Sequence, residues 1–306
     1  MKSSTIALPR RERLRLQAGR WISAARPRTL FLAVSPVVAG IALAWFHTGT
    51  LAFWAALGTL FGATAIQIGT NLHNDAADFE RGTDTPDRLG PPRASAQGWF
   101  SAQQVKQAAH LTFFAAFVVG LLLVVRGGWP ILLLGLAAIL AGYAYTSGPR
   151  PIAYGPYGEL FVLAFFGIAA VAGSYYLQSL QLTGAALLLG VACGLPAAAV
   201  LLLNNYRDFE TDHRAGRRTL NHLLGKARAR QLYAALMLGA IPLLLLCAPL
   251  SHSWPVVLGL PVAIALIRRL FAGTEGRALN VLLGQTALYQ SLLVALFAIG
   301  LAWPMF

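Results

Sequence analysis

Residues 51–84 read LAFWAALGTLFGATAIQIGTNLHNDAADFERGTD. From Leu51 to Leu72 there is no charged side chain. As a helix rising about 1.5 Å per residue, that run covers the roughly 30 Å hydrocarbon core of a bilayer. Directly beyond it come Asp75, Asp78, Glu80 and Asp84. The pattern recurs downstream: an apolar run from Gly184 is followed by Asn204-Asn205-Tyr206-Arg207-Asp208-Phe-Glu-Thr-Asp212. In each window an Asn stands four residues before the first Asp, and a second Asp follows three or four residues later.

Working outward, the 306 residues are 57% hydrophobic and 11% charged, with a mean hydropathy of +0.62. Soluble domains carry about 25% charged residues. A disordered chain, a coiled coil and an ordinary soluble enzyme are therefore excluded. Nine apolar runs are expected to span a membrane, at about 29–46, 51–72, 105–125, 130–147, 159–178, 184–205, 231–249, 254–271 and 281–303. The fold class expected is all-α: a polytopic bundle of nine transmembrane helices. Residues 1–28 form a basic leading segment, Lys2 included. Residues 29–306 form one membrane domain with two weakly similar, parallel halves, about 29–147 and 159–303.

The net charge of +13 would suggest nucleic acid in a soluble protein, but its placement follows topology instead. Of 24 Lys and Arg, 23 fall in the N-terminal segment or in loops on that same side, and only Arg126 falls opposite. That asymmetry predicts a cytoplasmic N-terminus, cytoplasmic Asp-rich loops and an outward C-terminus in the plasma (inner) membrane. The partners expected are the lipid bilayer and small molecules, with no nucleic acid. Cys193 and Cys247 lie in apolar runs without metal-ligand spacing, so they read as core residues.

Eight of the eleven acids crowd into 75–87 and 208–212, on one face of the membrane. Helical residues three or four apart share a face. Asn71, Asp75 and Asp78 then form one polar stripe, and Asn204, Asp208 and Asp212 another. Facing each other, the stripes make a pocket of four carboxylates. Like charges so close call for a cation, and an all-oxygen set without His or Cys favours Mg²⁺, with Mn²⁺ possible. Mg²⁺ fills its shell with substrate phosphates, so a diphosphate fits, offset by Arg81, Arg207 and Lys226. The plainer alternative is helix-end acids salt-bridged to basic loops, which is the better reading for Glu80, Asp87 and Glu210. A secondary transporter would place ionisable groups near the midplane, not at the helix ends.

At these residues the chain resembles the UbiA superfamily of intramembrane aromatic prenyltransferases. The similar segments are WISAARPRTLFLAVSP (21–36), NLHNDAADFERGTDTPDRLGPPRASAQG (71–98), YAYTSGPRPIAYGPYGE (143–159), GSYYLQ (173–178) and 204–225. The resemblance implies a nine-helix fold with Asp75, Asp78, Asp208 and Asp212 as catalytic metal ligands. It also implies a polyprenyl diphosphate donor and an aromatic acceptor, here of the 1,4-dihydroxy-2-naphthoate branch of menaquinone synthesis, with 4-hydroxybenzoate as the alternative. Donor and acceptor are expected to contact Asn71, Asn74, Arg81, Asp84, Asn204, Arg207 and Lys226. Arg26 or Arg28 either binds the acceptor carboxylate or sets topology, and the lone Arg150 reads the same way. Tyr143, Tyr145 and Tyr154 either line the acceptor site or sit at the membrane interface.

Overall fold

The computed structural model describes residues 9–84 and 88–303, so the expectations for Lys2, Asp87 and the final residues lie outside it. Ten helices, and no strand, are present among the described residues. They are α1 (Arg10–Ala25), α2 (Pro27–Thr48), α3 (Phe53–Glu80), α4 (Ala102–Ala144), α5 (Gly158–Ser179), α6 (Gly184–Arg207), α7 (Phe209–Arg214), α8 (Leu220–Leu245), α9 (Leu250–Phe271) and α10 (Leu279–Ala302). Seven of these, α2 to α6 with α9 and α10, are long and apolar enough to cross a membrane.

The helix count differs from the nine expected from the sequence: ten are present among the described residues, and seven of them are long and apolar enough to cross a membrane. The runs at 105–125 and 130–147 are the two helical limbs of α4, joined across a non-helical residue at Gly128. Left straight, α4 would be about 65 Å long, twice a bilayer core. It folds back at Gly128, whose φ of 66° and ψ of −158° suit a residue without Cβ. The reversal brings the Tyr143 hydroxyl to 2.6 Å from His110 Nδ1, so the two limbs run side by side. The run at 231–249 forms most of α8, which ends at Leu245; α8 is broken at Gly225 (φ 75°, ψ 160°), and Lys226, Arg228 and Arg230 open its longer limb. Two helices went unread in the sequence: the basic α1 and the short α7.

Local signals account for the element ends. Ser101 starts α4 with a capping box: its Oγ accepts from Gln104 N, and Gln104 Oε1 accepts from Ser101 N. Thr183 Oγ1 accepts from Ala186 N at the start of α6. The opposite-side Arg126 donates to the Leu177 and Gln178 carbonyls, so it closes the C-terminal end of α5.

Packing relies on small residues, as expected where lipid offers no hydrophobic drive between helices. Gly167 of α5 meets Gly190 and Gly194 of α6 backbone to backbone. The Tyr233 hydroxyl pairs with Thr286 Oγ1 at 2.8 Å, and Tyr289 donates to the Met237 carbonyl at 3.0 Å, tying α8 to α10. Both cysteines are free and buried, as the sequence indicated.

Candidate active site

Both Asp windows come together at one end of the bundle. The first extends the apolar span, as expected: α3 runs unbroken to Glu80. The second does not form a single stripe. α6 stops at Arg207, Asp208 has φ −92° and ψ 12°, and α7 then carries Asp212. Asn204 and Asp212 therefore sit on different helices.

The four carboxylates do not face one another across an empty pocket. Arginines from the loops interleave them. Asp78 is 2% exposed and takes Arg93 Nη2 on one oxygen and Arg217 Nη2 on the other, each at 2.7 Å. Arg217 Nη1 also reaches Asp212 Oδ1 at 3.4 Å, so one guanidinium joins the two motifs. Asp208 is held by its neighbour Arg207 at 2.8 and 2.5 Å. Asp75 accepts the backbone amides of Ala94 and Ser95, at 2.7 and 2.9 Å, which anchors the loop bearing Arg93. Asp84, loop-borne as expected, pairs with Arg88 Nη1 at 2.8 Å and Arg93 Nε at 3.2 Å. Its other oxygen is buried and has no partner among the described residues. Among the described residues no three acidic, His or Cys side chains converge as a ready-made metal centre.

Burial pushes the Asp212 carboxyl up to about 6, against the pull of Arg217. Burial also works against the Arg217 charge, but Asp78 and Asp212 outweigh it and hold it protonated. Burial, helped by Arg93, brings Arg26 down to about 9, and its Nη2 is buried without a partner.

Other expected residues take varied places. Asn71 donates to the Ala25 carbonyl and Thr29, locking the α1–α2 junction onto α3. Asn74 accepts from Thr146, and its carbonyl accepts from Arg93. Asn204 accepts from Arg207 Nη2 at 2.9 Å. Arg207 is buried and also donates to Asn280, which reaches the Leu89 carbonyl. Arg81 is exposed and reaches the Gly148 carbonyl. Lys226 is exposed over the Phe209 ring, and Arg28 and Arg150 are exposed. Tyr154 lies beneath Arg81 and Arg217, and Tyr143 is engaged with His110.

A cavity of about 390 Å³ opens at this end. Among the described residues its charged lining is Arg26, Arg88, Arg93 and Arg217 against Asp78. Asn71, Asn74, Tyr145, Asn204 and Asn205 line the same end, and the rest is largely apolar, with Leu32, Ile66, Phe117, Leu123 and Leu177. On α3 the lining extends from Asp78 to Thr59, about 28 Å along the helix. An anionic head with a long apolar tail matches this shape and charge.

Sequence reasoning missed the cage of Arg88, Arg93 and Arg217. Arg88 and Arg93 lie within the DRLGPPR stretch already notable in the sequence. Arg217 follows a tight turn in which its N–H donates to the Asp212 carbonyl, so it returns toward the acids at no helical spacing.

Known proteins resemble this chain in sequence and in fold. The model of the UbiA prenyltransferase family matches residues 33–279. The chain is 36% identical over 291 residues to the 1,4-dihydroxy-2-naphthoate octaprenyltransferase of Escherichia coli (strain K12), covering 92% of this chain and 94% of that one. It is 38% identical to the enzyme of the same name from Mycobacterium tuberculosis, covering 88% and 91%. A UbiA homolog from Archaeoglobus fulgidus, solved bound to GPP and Mg²⁺, superposes with a TM-score of 0.67 at 16% identity over 93% of this chain and all of that one. The apo UbiA homolog of Aeropyrum pernix K1 gives 0.68 at 15% identity, over 90% of this chain and 98% of that one. Family model, relatives over nearly the whole length and shared fold coincide: this chain belongs to the UbiA prenyltransferase family.

Proposed function

We propose that this protein transfers a polyprenyl group from polyprenyl diphosphate to 1,4-dihydroxy-2-naphthoate, releasing diphosphate and CO₂ and giving demethylmenaquinone. The observation that carries the reading is the cavity: four arginines at one end of an apolar tunnel about 28 Å long, in a chain whose relatives bear this activity in their names.

The residues fit a divalent cation. The donors are all oxygens, one Asp84 oxygen is buried and unspent, and Asp78 and Asp212 already converge on a single cationic group. Asp75, Asp78, Asp208 and Asp212 are the proposed ligands. Asp75 would have to release an amide of the Arg93 loop to take part. Bound there, Mg²⁺ or Mn²⁺ would supply Lewis-acid neutralisation of the departing diphosphate.

The chain's own residues do the remainder. Arg88, Arg93 and Arg217 bind the diphosphate and stabilise the charge it gains as the allylic C–O bond breaks. The apolar wall holds the tail and keeps water from the developing carbocation. Tyr145 faces the cavity where its ring can shield that cation. Arg26, half-buried at the rim with an Nη2 that has no partner among the described residues, is suited to the acceptor carboxylate. The reading extends to nine membrane crossings, with α4 supplying two and α8 one, and to a plasma-membrane location. In that topology the N-terminus and the Asp-rich end are cytoplasmic and the C-terminus is outside.

The test is detergent-purified protein with polyprenyl diphosphate, 1,4-dihydroxy-2-naphthoate and Mg²⁺, followed by mass spectrometry. Demethylmenaquinone should form, disappear with EDTA and return with Mg²⁺ or Mn²⁺. Product only from 4-hydroxybenzoate would overturn the acceptor, and no diphosphate release with any acceptor would overturn the reaction.

Tunnel length gives a second expectation. Gly62 lines the cavity, and a Cβ there would meet nothing within 4 Å. Gly62→Trp should place an indole in the tail path. Preference among donors should then move toward shorter chains by roughly tenfold or more in kcat/KM ratio, since lost burial costs about 0.8 kcal/mol per CH₂. An unchanged chain-length profile would show that the tail runs elsewhere.

A further inference from the structure

Three acids lie outside the two Asp windows: Glu12, Glu159 and Glu275. Glu12 and Glu275 are exposed, whereas Glu159, at the start of α5, is 5% exposed. Its Oε1 accepts from Asn205 Nδ2 at 2.9 Å, and its Oε2 is sealed from solvent without a partner. Burying a carboxylate this way is costly, and packing alone gives no return for it. Its one side-chain partner, Asn205, lines the same cavity as Tyr145 and Phe161, whose ring centroids are 6.0 Å apart.

Asn205 Nδ2 donates to Glu159 Oε1, an oxygen that accepts whether the group is a carboxylate or the carbonyl of the acid, so Glu159 fixes the amide nitrogen toward itself. The side-chain oxygen is thereby turned away from Glu159, and no donor among the described residues reaches it. Asn204, one position earlier, has already spent its oxygen on Arg207. Asn74 has spent its side-chain oxygen on the Thr146 hydroxyl. Asn205 thus holds an uncommitted acceptor in a cavity that two aromatic rings also line, three residues before Asp208.

We propose that Asn205 accepts a hydrogen bond from a ring hydroxyl of the aromatic acceptor through its Oδ1, and that Glu159 is the positioning residue that holds the amide in that orientation. The inference rests on the prenyl-transfer reading and adds a determinant of acceptor recognition outside the Asp motifs. The carboxylate behind the amide polarises it, which strengthens the bond to the hydroxyl and leaves the ring richer in electrons for attack on the allylic carbon.

The experiment uses the full chain in detergent, with Mg²⁺, polyprenyl diphosphate and 1,4-dihydroxy-2-naphthoate, measuring KM for each substrate separately. Asn205→Ala should raise the acceptor KM roughly tenfold or more while the donor KM stays unchanged, which also shows that the diphosphate end is folded. Glu159→Ala should produce the same split. Glu159→Gln should recover most of the acceptor KM, because its carbonyl can still take the Asn205 N–H. The double variant Asn205→Ala/Glu159→Ala should be no worse than Asn205→Ala alone, since Glu159 acts through Asn205. If wild-type protein turns over this acceptor and the variants leave its KM unmoved, this proposal falls alone. It falls equally if both KM values shift together, if the double variant is additive, or if Glu159→Gln behaves as Glu159→Ala. If wild type itself gives no product with the acceptor, this proposal and the prenyl-transfer reading fall together.

Discussion

Asp78→Asn is expected to lower kcat/KM for prenyl transfer by about 10³-fold or more. The two oxygens of Asp78 hold Arg93 and Arg217, each at 2.7 Å, and Arg217 in turn reaches Asp212. An amide at that position keeps the volume but removes the charge. It presents an N–H to one guanidinium, so at least one arginine turns away from the diphosphate path. Removing one preorganised charge stabiliser typically costs 10²- to 10³-fold, and here a proposed metal ligand is lost with it. Breaking a buried ion pair from one side also costs about 3–5 kcal/mol of stability. Initial rates by product mass, alongside thermal denaturation in detergent, separate the two effects. Activity within tenfold of wild type would remove Asp78 from the catalytic centre.

The second large effect is structural. A Cβ on Gly167 would lie 2.4 Å from the Gly190 carbonyl oxygen and 2.6 Å from Gly194 Cα. Those are backbone atoms of α6, which no rotamer change can move aside. Gly167→Val should therefore force α5 from α6 and destabilise the protein by roughly 3 kcal/mol or more, at the upper end of overpacking costs. The displacement should also reach the site, because the rigid helix α6 that carries Gly190 and Gly194 ends at Asn204 and Arg207. A clear fall in Tm, with reduced monodispersity on size exclusion, is the expected outcome. A variant melting with wild type would mean the helices do not approach this closely. Gly62→Trp, which faces the open cavity, should leave Tm nearly unchanged and serves as the contrast.

Much of the fold was legible because lipid imposes so simple a rule. Every backbone polar group in the bilayer must be satisfied within its own helix, so uncharged runs such as 51–72 had to be helical. The turn at Gly127-Gly128 was readable for the same reason, and the structure breaks the helix at Gly128. The helices α1 and α7 were not readable, since neither has an apolar run and both depend on what they pack against. In α1, Trp21 stacks on Phe100 at 4.0 Å, a contact across about 80 positions of sequence.

By itself, the sequence determined the all-helical membrane architecture, the meeting of the Asp windows at one end of the bundle and the UbiA family. These follow from patterns local in the chain: apolar length, charge placement and Asn–Asp spacing. Tertiary structure alone decided what those aspartates touch. Arg93, Arg217 and Asn205 reach the site through loop returns and helix crossings rather than at any helical interval from their partners. Burial makes the outcome strict: once water is excluded, each carboxylate must take a partner. The partner it finds is set by which distant segments the bundle brings within reach.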